Sequence, residues 1–201
     1  MSEITAAVVR DLRDKTGAGM MDCKKALGEV GGDMDKAVDW LRTKGLASAS
    51  KRADRATNEG LVHSYIHPGG RVGVLIEVNC ESDFVARTQD FQDLCKDLCL
   101  QIAAASPNCV RREEFSPQLL ARETAIFNTQ AQESGKPAAV IEKMVAGRIE
   151  KLYKESVLLE QAFVKDPNLT VEDRVKAGIS KLAENITVRR FVRFQLGQSV
   201  A

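Results

Sequence analysis

With 201 residues the chain is long enough to bury a sizeable core, in one domain or two small ones, and 44% hydrophobic with 28% charged residues is a globular composition. A formal net charge of +1 excludes a global field that would recruit nucleic acid or an anionic membrane, and 5% aromatics are too few for a base-stacking platform. No apolar run approaches the ~20 residues needed to span a bilayer, and Met1-Ser2-Glu3-Ile4 lacks a signal-peptide pattern, so the expectation is a cytoplasmic protein with no membrane partner.

Residues 1–45 read as three short helices. Ile4, Val8 and Leu12 form one apolar stripe, Cys23, Ala26, Leu27 and Val30 a second, and Met34, Ala37, Val38 and Leu41 a third. Gly17 and Gly19 separate the first pair, while Gly31-Gly32-Asp33 ends the second helix and offers Asp33 as cap for the third. With Trp40 available to fill the centre, a compact three-helix bundle follows, similar in size and pattern to ubiquitin-associated (UBA-like) domains. Met20 and Met21 suit either a loose core or a partner contact, because Met adapts to irregular surfaces.

From Arg42 to Glu59 the chain turns small and basic. This is either an electrostatic contact for nucleic acid or an acidic protein face, or a solvated, partly helical connector; Asp54 and Glu59 interrupt the charge and favour the connector. The expected division is a bundle over 1–45, a basic linker over 46–59 and a core domain over 60–201.

The core opens with strands over 60–67 and 71–79 around Pro68-Gly69-Gly70, a hairpin signal. Helices are expected over 84–104, from the Ser116-Pro117 cap to Gln132, over 137–155 and over 170–185, with 158–164 extended and of uncertain type. A last strand covers 186–196, where Ile186, Val188, Val192, Phe194 and Leu196 alternate with Thr187, Arg189, Phe191, Arg193 and Gln195. Such a strand buries one face, here the aliphatic one, and shows the other. The fold class is therefore α+β: the N-terminal bundle plus a small antiparallel sheet of about three strands flanked by helices.

The strand over 71–79 must stop, turn and enter a helix within a few residues. Asn79 suits the turn, and Ser82 or Asp83 can accept a hydrogen bond from the helix's first free amides. Phe84 then sits in the first turn, in phase with Phe91 and Cys95; it either folds inward as a staple or projects, and periodicity alone favours the staple. Glu77, Glu81 and Asp83 crowd this junction, and paired carboxylates can serve acid–base chemistry. No phosphate loop, zinc motif or nucleophile elbow accompanies them, so no enzyme activity is expected. Cys95 and Cys99 could form half of a metal site with His63 and His67, but buried free thiols acting as small hydrophobes are the simpler reading, with no metal and no cofactor.

The segment Val78-Asn79-Cys80-Glu81-Ser82-Asp83-Phe84-Val85-Ala86-Arg87 resembles the Asn-Cys-x-[Ser/Thr]-Asp-Phe-Val-Ala signature of the elongation factor Ts family, exchange factors for the GTPase elongation factor Tu. Four further blocks are similar to that family in order: Leu12 to Leu27, Gly135 to Pro137, Leu158 to Asp166 and Glu184 to Phe191. The resemblance implies that Ser82, Asp83, Phe84 and Val85 dislocate Mg²⁺ and its ligands in the GTPase, and that Arg13, Met20, Met21 and Lys24 form a second contact to it. It implies binding to both the GDP-loaded and the empty partner. Longer family members carry two core halves and this chain has room for one, so a homodimer through the strand over 186–196 and the hairpin is expected. The competing reading is a nucleic-acid-binding or adaptor module, against which near-neutral charge and scarce aromatics argue.

Overall fold

The computed structural model describes residues 4–198. In order it contains α1 (Ala6–Thr16), α2 (Met20–Glu29), α3 (Met34–Ser50), β1 (Glu59–Ile66), β2 (Val72–Cys80), α4 (Asp83–Ala86), α5 (Gln89–Ala105), α6 (Pro117–Gln132), α7 (Ala138–Ser156), β3 (Ala162–Phe163), β4 (Asp166–Thr170), α8 (Val171–Leu182) and β5 (Ile186–Gln195), an α+β fold. The chain groups into two units. The first comprises Met1–Leu61, Val78–Leu94 and Asp173–Thr187; the second comprises Val62–Glu77, Cys95–Glu172 and Val188–Ala201.

In the first unit, short-range chemistry sets the three N-terminal helices. The Thr5 hydroxyl accepts from Val8 N at α1, and Gly17, at φ 68°, ends that helix in the left-handed region glycine tolerates. The Asp33 carboxylate accepts from Lys36 N (3.1 Å) to start α3. The helices share a core of Val9, Leu12, Cys23, Ala26, Leu27, Ala37 and Leu41. Trp40 is not its centre, as the sequence suggests, but a half-buried margin with the Lys44 ammonium 5.3 Å from its ring. The buried positions are filled by smaller side chains, Cys23, Ala26 and Ala37 among them, and the indole packs against the cluster from its edge. Helix α3 continues to Ser50, into the stretch read as a connector.

One three-stranded antiparallel sheet has the order β1-β2-β5. The hairpin closes where His67 N donates to Val72 O (2.9 Å) and Gly70 N to His67 O (2.9 Å). Leu196 N donates to Arg71 O (2.9 Å) and Arg190 Nε to Glu77 Oε2 (2.7 Å), which fixes β5 antiparallel to β2. The aliphatic face of β5 departs from expectation: Ile186 and Val188 are buried, but Val192, Phe194 (55% exposed) and Leu196 (66%) lie open. In the second unit they share the outer face of the sheet with Val62, Ile66 and Leu75. The opposite phase of β5 is tied inward instead, Arg193 Nη2 donating to Ala103 O (3.2 Å).

Elsewhere in the second unit, Ser116 Oγ accepts from Leu119 N (3.3 Å) ahead of Pro117, which starts α6 where the sequence places it. Arg112 binds both Glu150 and Glu160 and stacks 4.4 Å from the Tyr153 ring centroid. Residues 158–164 resolve into a 3-10 turn and β3, which pairs with β4. This second ladder is unforeseen because its anchors are polar. Buried Gln101 donates to Gln161 Oε1 (3.0 Å) and accepts from Val164 N (2.8 Å), and Gln161 donates to Glu155 O (2.7 Å). All five cysteines are buried and none is in a disulfide, and among the described residues no helix is long and apolar enough to cross a membrane.

Candidate partner-binding site

Alternation along β2 buries Val74, Ile76, Val78 and Cys80 and turns Leu75, Glu77 and Asn79 outward. Directly after Cys80 the chain turns through Glu81 into Ser82, whose extended backbone (φ −130°, ψ 152°) and hydroxyl make it the N-cap of α4. Val85 N donates to Ser82 Oγ at 3.3 Å. Ser82, rather than Asp83, is therefore the cap.

Helix α4 lasts one turn. Thr88 Oγ1 donates to Val85 O (2.7 Å) and accepts from Phe91 N (3.3 Å), closing α4 and opening α5. The single helix expected over 84–104 is thus two, and the break resets the phase. On α5, Phe91, Leu94, Cys95, Leu98, Cys99 and Ile102 are buried as the spacing predicts. On α4, Val85 and Ala86 turn inward, while Phe84 stands 77% exposed. It is no staple. Asp83, also exposed, pairs with Arg87 one turn on (2.7 Å).

Behind the turn lies a set of polar groups that short-range reading missed. The Glu184 carboxylate accepts from Glu81 N (3.1 Å), Ser82 N (3.0 Å) and Ser82 Oγ (2.6 Å). Next to it, Asn185 N donates to Glu81 Oε1 (2.6 Å), and the buried Asn185 amide donates to the carbonyls of Ala53 (3.1 Å) and Arg55 (2.8 Å). Arg55 pairs with Glu81 from the same side (3.4 Å). Cys80 Sγ donates to Ser82 O (3.1 Å), and burial, with the neighbouring Glu184 charge second, pushes its thiol up to about 11, so it stays protonated and inert at neutral pH. Gly60 passes so close that a Cβ there would lie 2.2 Å from Val78 O.

Glu77, Glu81 and Asp83 do not converge as an acid–base pair. Each is engaged separately, Glu77 by Arg190, Glu81 by Asn185 and Arg55, Asp83 by Arg87. The second predicted set occupies α1 and α2: Arg13, Met20, Lys24 and Met21 (75% exposed) all lie on the surface, and Cys23 between them fills the core position. The two methionines are thus not a core pair. Glu184 and Asn185 fall in the Glu184-to-Phe191 block, but nothing local marks them, since their partners lie about a hundred residues away.

The family model described as Elongation factor TS matches residues 47–198. The elongation factor Ts of Desulforamulus reducens is 56% identical over 200 residues, covering 100% of this chain and 92% of that protein. That of Moorella thermoacetica is 57% identical over 98% of this chain and 97% of its own length, and that of Citrifermentans bemidjiense 57% over 98% and 92%. Likeness of this extent, across both units and through the turn that carries Phe84, makes the chain a member of the elongation factor Ts family of translation elongation factors.

Proposed function

We propose that the chain accelerates GDP release from elongation factor Tu by inserting the Asp83–Phe84 corner into the GTPase and dislocating Mg²⁺ and its ligands. The observation that supports this best is the exposure of Phe84 on a one-turn helix whose other apolar residues are buried. An exchange factor must bind the empty GTPase more tightly than the loaded one, so nucleotide and factor oppose each other with equal coupling energy. The GTPase holds GDP through phosphate-binding amides and Mg²⁺, so displacing the metal's ligands weakens nucleotide binding directly. Burying one phenyl ring contributes ~1.5–3 kcal/mol. Realised only in the nucleotide-free complex, that is one to two decades of weakened GDP affinity.

In this reading Ser82 and Val85 hold the corner and Asp83 and Phe84 present it, while Arg13, Met20, Met21 and Lys24 form a second contact. The chain makes and breaks no bond and carries no cofactor. The exposed aliphatic face of β5 and the hairpin supports association with a second copy, a two-fold contact in which each sheet covers the other. The test is release of labelled GDP from purified elongation factor Tu. Catalytic amounts of the chain are expected to raise the rate at least tenfold; no acceleration at saturation sinks the proposal. A salt-sensitive RNA complex in its place would favour the nucleic-acid reading.

A further inference from the structure

We propose that Glu184 is a positioning residue of this site: its carboxylate sets the turn that carries Asp83 and Phe84, and with it the direction in which the exposed ring meets the GTPase. The inference rests on the exchange reading above and deepens it. Three donors converge on the one carboxylate, the N–H groups of Glu81 and Ser82 on Oε2 and the Ser82 hydroxyl on Oε1. The hydroxyl proton is thereby committed to Glu184, which leaves the Ser82 oxygen free to accept Val85 N and begin α4. One acidic side chain thus orders both the end of β2 and the start of the helix on which Phe84 stands.

The arm that delivers this carboxylate is itself held in place. Helix α8 ends at Leu182, and Ala183 takes a left-handed conformation (φ 60°) that reverses the chain and turns Glu184 back toward the Ser82 turn. A non-glycine residue stays there only where its surroundings over-determine it. Asn185 provides that determination by returning the contact: its N–H donates to Glu81 Oε1 while Glu81 N donates to Glu184. The pair 81–82 and the pair 184–185 are therefore locked reciprocally, with the Asn185 amide fastened to Ala53 and Arg55. Glu184 is itself half-buried, so it acts through the turn.

The test is a cycle of variants in the GDP-release assay at saturating factor, with thermal unfolding of each free chain alongside. Glu184→Ala is expected to slow release about tenfold while lowering Tm by only a few degrees. Glu184→Gln should recover most of the rate, because its amide oxygen still accepts both N–H groups. Amide hydrogen exchange at Glu81 and Ser82 should quicken in Glu184→Ala and stay slow in Glu184→Gln. A double variant Glu184→Ala/Phe84→Ala should release GDP more slowly than Phe84→Ala alone by no more than the small further loss that Asp83→Ala causes, since the carboxylate acts through the corner that carries both side chains. Parental exchange by Glu184→Ala, or losses that multiply in the double variant, overturns the assignment. Parental exchange by Phe84→Ala instead defeats the reading of the site on which it rests. Should Glu184→Ala fail to fold, Glu184→Asp, whose shorter arm withdraws the carboxylate, takes its place in the cycle and is read in the same way.

Discussion

At Phe84 the proposed exchange function and the stability of the free protein are separable. A ring so exposed contributes little to its own fold, so Phe84→Ala is expected to melt with the parental protein and to lose one to two decades of GDP-release rate, the equivalent of ~1.5–3 kcal/mol of lost burial. A core staple would instead cost ~3–5 kcal/mol of stability, and a large fall in Tm with activity lost in proportion would restore that reading. Asp83→Ala should act in the same direction more weakly, with stability almost unchanged, because it removes only an exposed ion pair with Arg87. The helix start depends on Ser82, so Ser82→Ala is the variant that loses a cap, at ~1 kcal/mol. Gly60 behaves oppositely to Phe84. A Cβ at 2.2 Å from Val78 O and 2.7 Å from Asn79 Cα meets backbone that cannot rotate away. Gly60→Ala should therefore cost ~1–3 kcal/mol in denaturant unfolding and disturb exchange through the base of the turn.

Among the elements, α2 and α3 offer separable tests. On α2, Met20→Ala/Met21→Ala should weaken binding to the GTPase, measured by titration calorimetry, with Tm held within a few degrees; a core pair would cost ~2–5 kcal/mol per residue and leave affinity unchanged. The start of α3 carries a proton linkage. Hydrogen bonds from Lys36, backbone first and side chain second, hold the Asp33 carboxyl below its ordinary 3.8. A depressed folded value means the stabilisation is complete above the unfolded pKa and disappears as pH falls through the folded one, so the acid limb lies below about pH 4. Asp33→Asn keeps an acceptor for the cap but has no proton to bind, and its Tm should change less between pH 5 and pH 3 than that of the parent. The break between α4 and α5 turns on one side chain. Periodicity sees Phe84, Phe91 and Cys95 in register and joins them, whereas a single hydroxyl at Thr88, serving both ends, cuts the helix and frees Phe84 from the stripe.

For the whole molecule, assembly is the property most open to test. The outer sheet face of the second unit exposes Val62, Ile66, Leu75, Val192, Phe194 and Leu196 together. No cysteine lies in β5, so a pairing of two copies through this face is non-covalent. Sedimentation at micromolar concentration is expected to show a dimer that Phe194→Lys converts to monomer, because a charge at the centre of an apolar contact is costly to desolvate. A parental monomer that exchanges nucleotide at full rate removes the dimer from the mechanism.

The signals that local chemistry writes into the chain were enough for the α+β class, the Ser116-Pro117 start of α6, the Asp33 cap, the Pro68-Gly69-Gly70 hairpin and the buried stripe of α5. Each depends on residues within a turn or two of one another, where spacing and side-chain type decide the outcome. The resemblance singled out the segment at 82–85, but said nothing of whether its ring is buried or exposed. Exposure of Phe84, the open aliphatic end of β5 and the Gln101–Gln161 anchor of the second ladder were decided only by the tertiary structure. Burial is a property of what covers a side chain, and periodicity says which residues share a face without saying whether anything lies against it. The Glu184 carboxylate shows the same limit for polar groups: its two amide donors lie 102 and 103 residues away, and only the folded chain brings an acceptor to them.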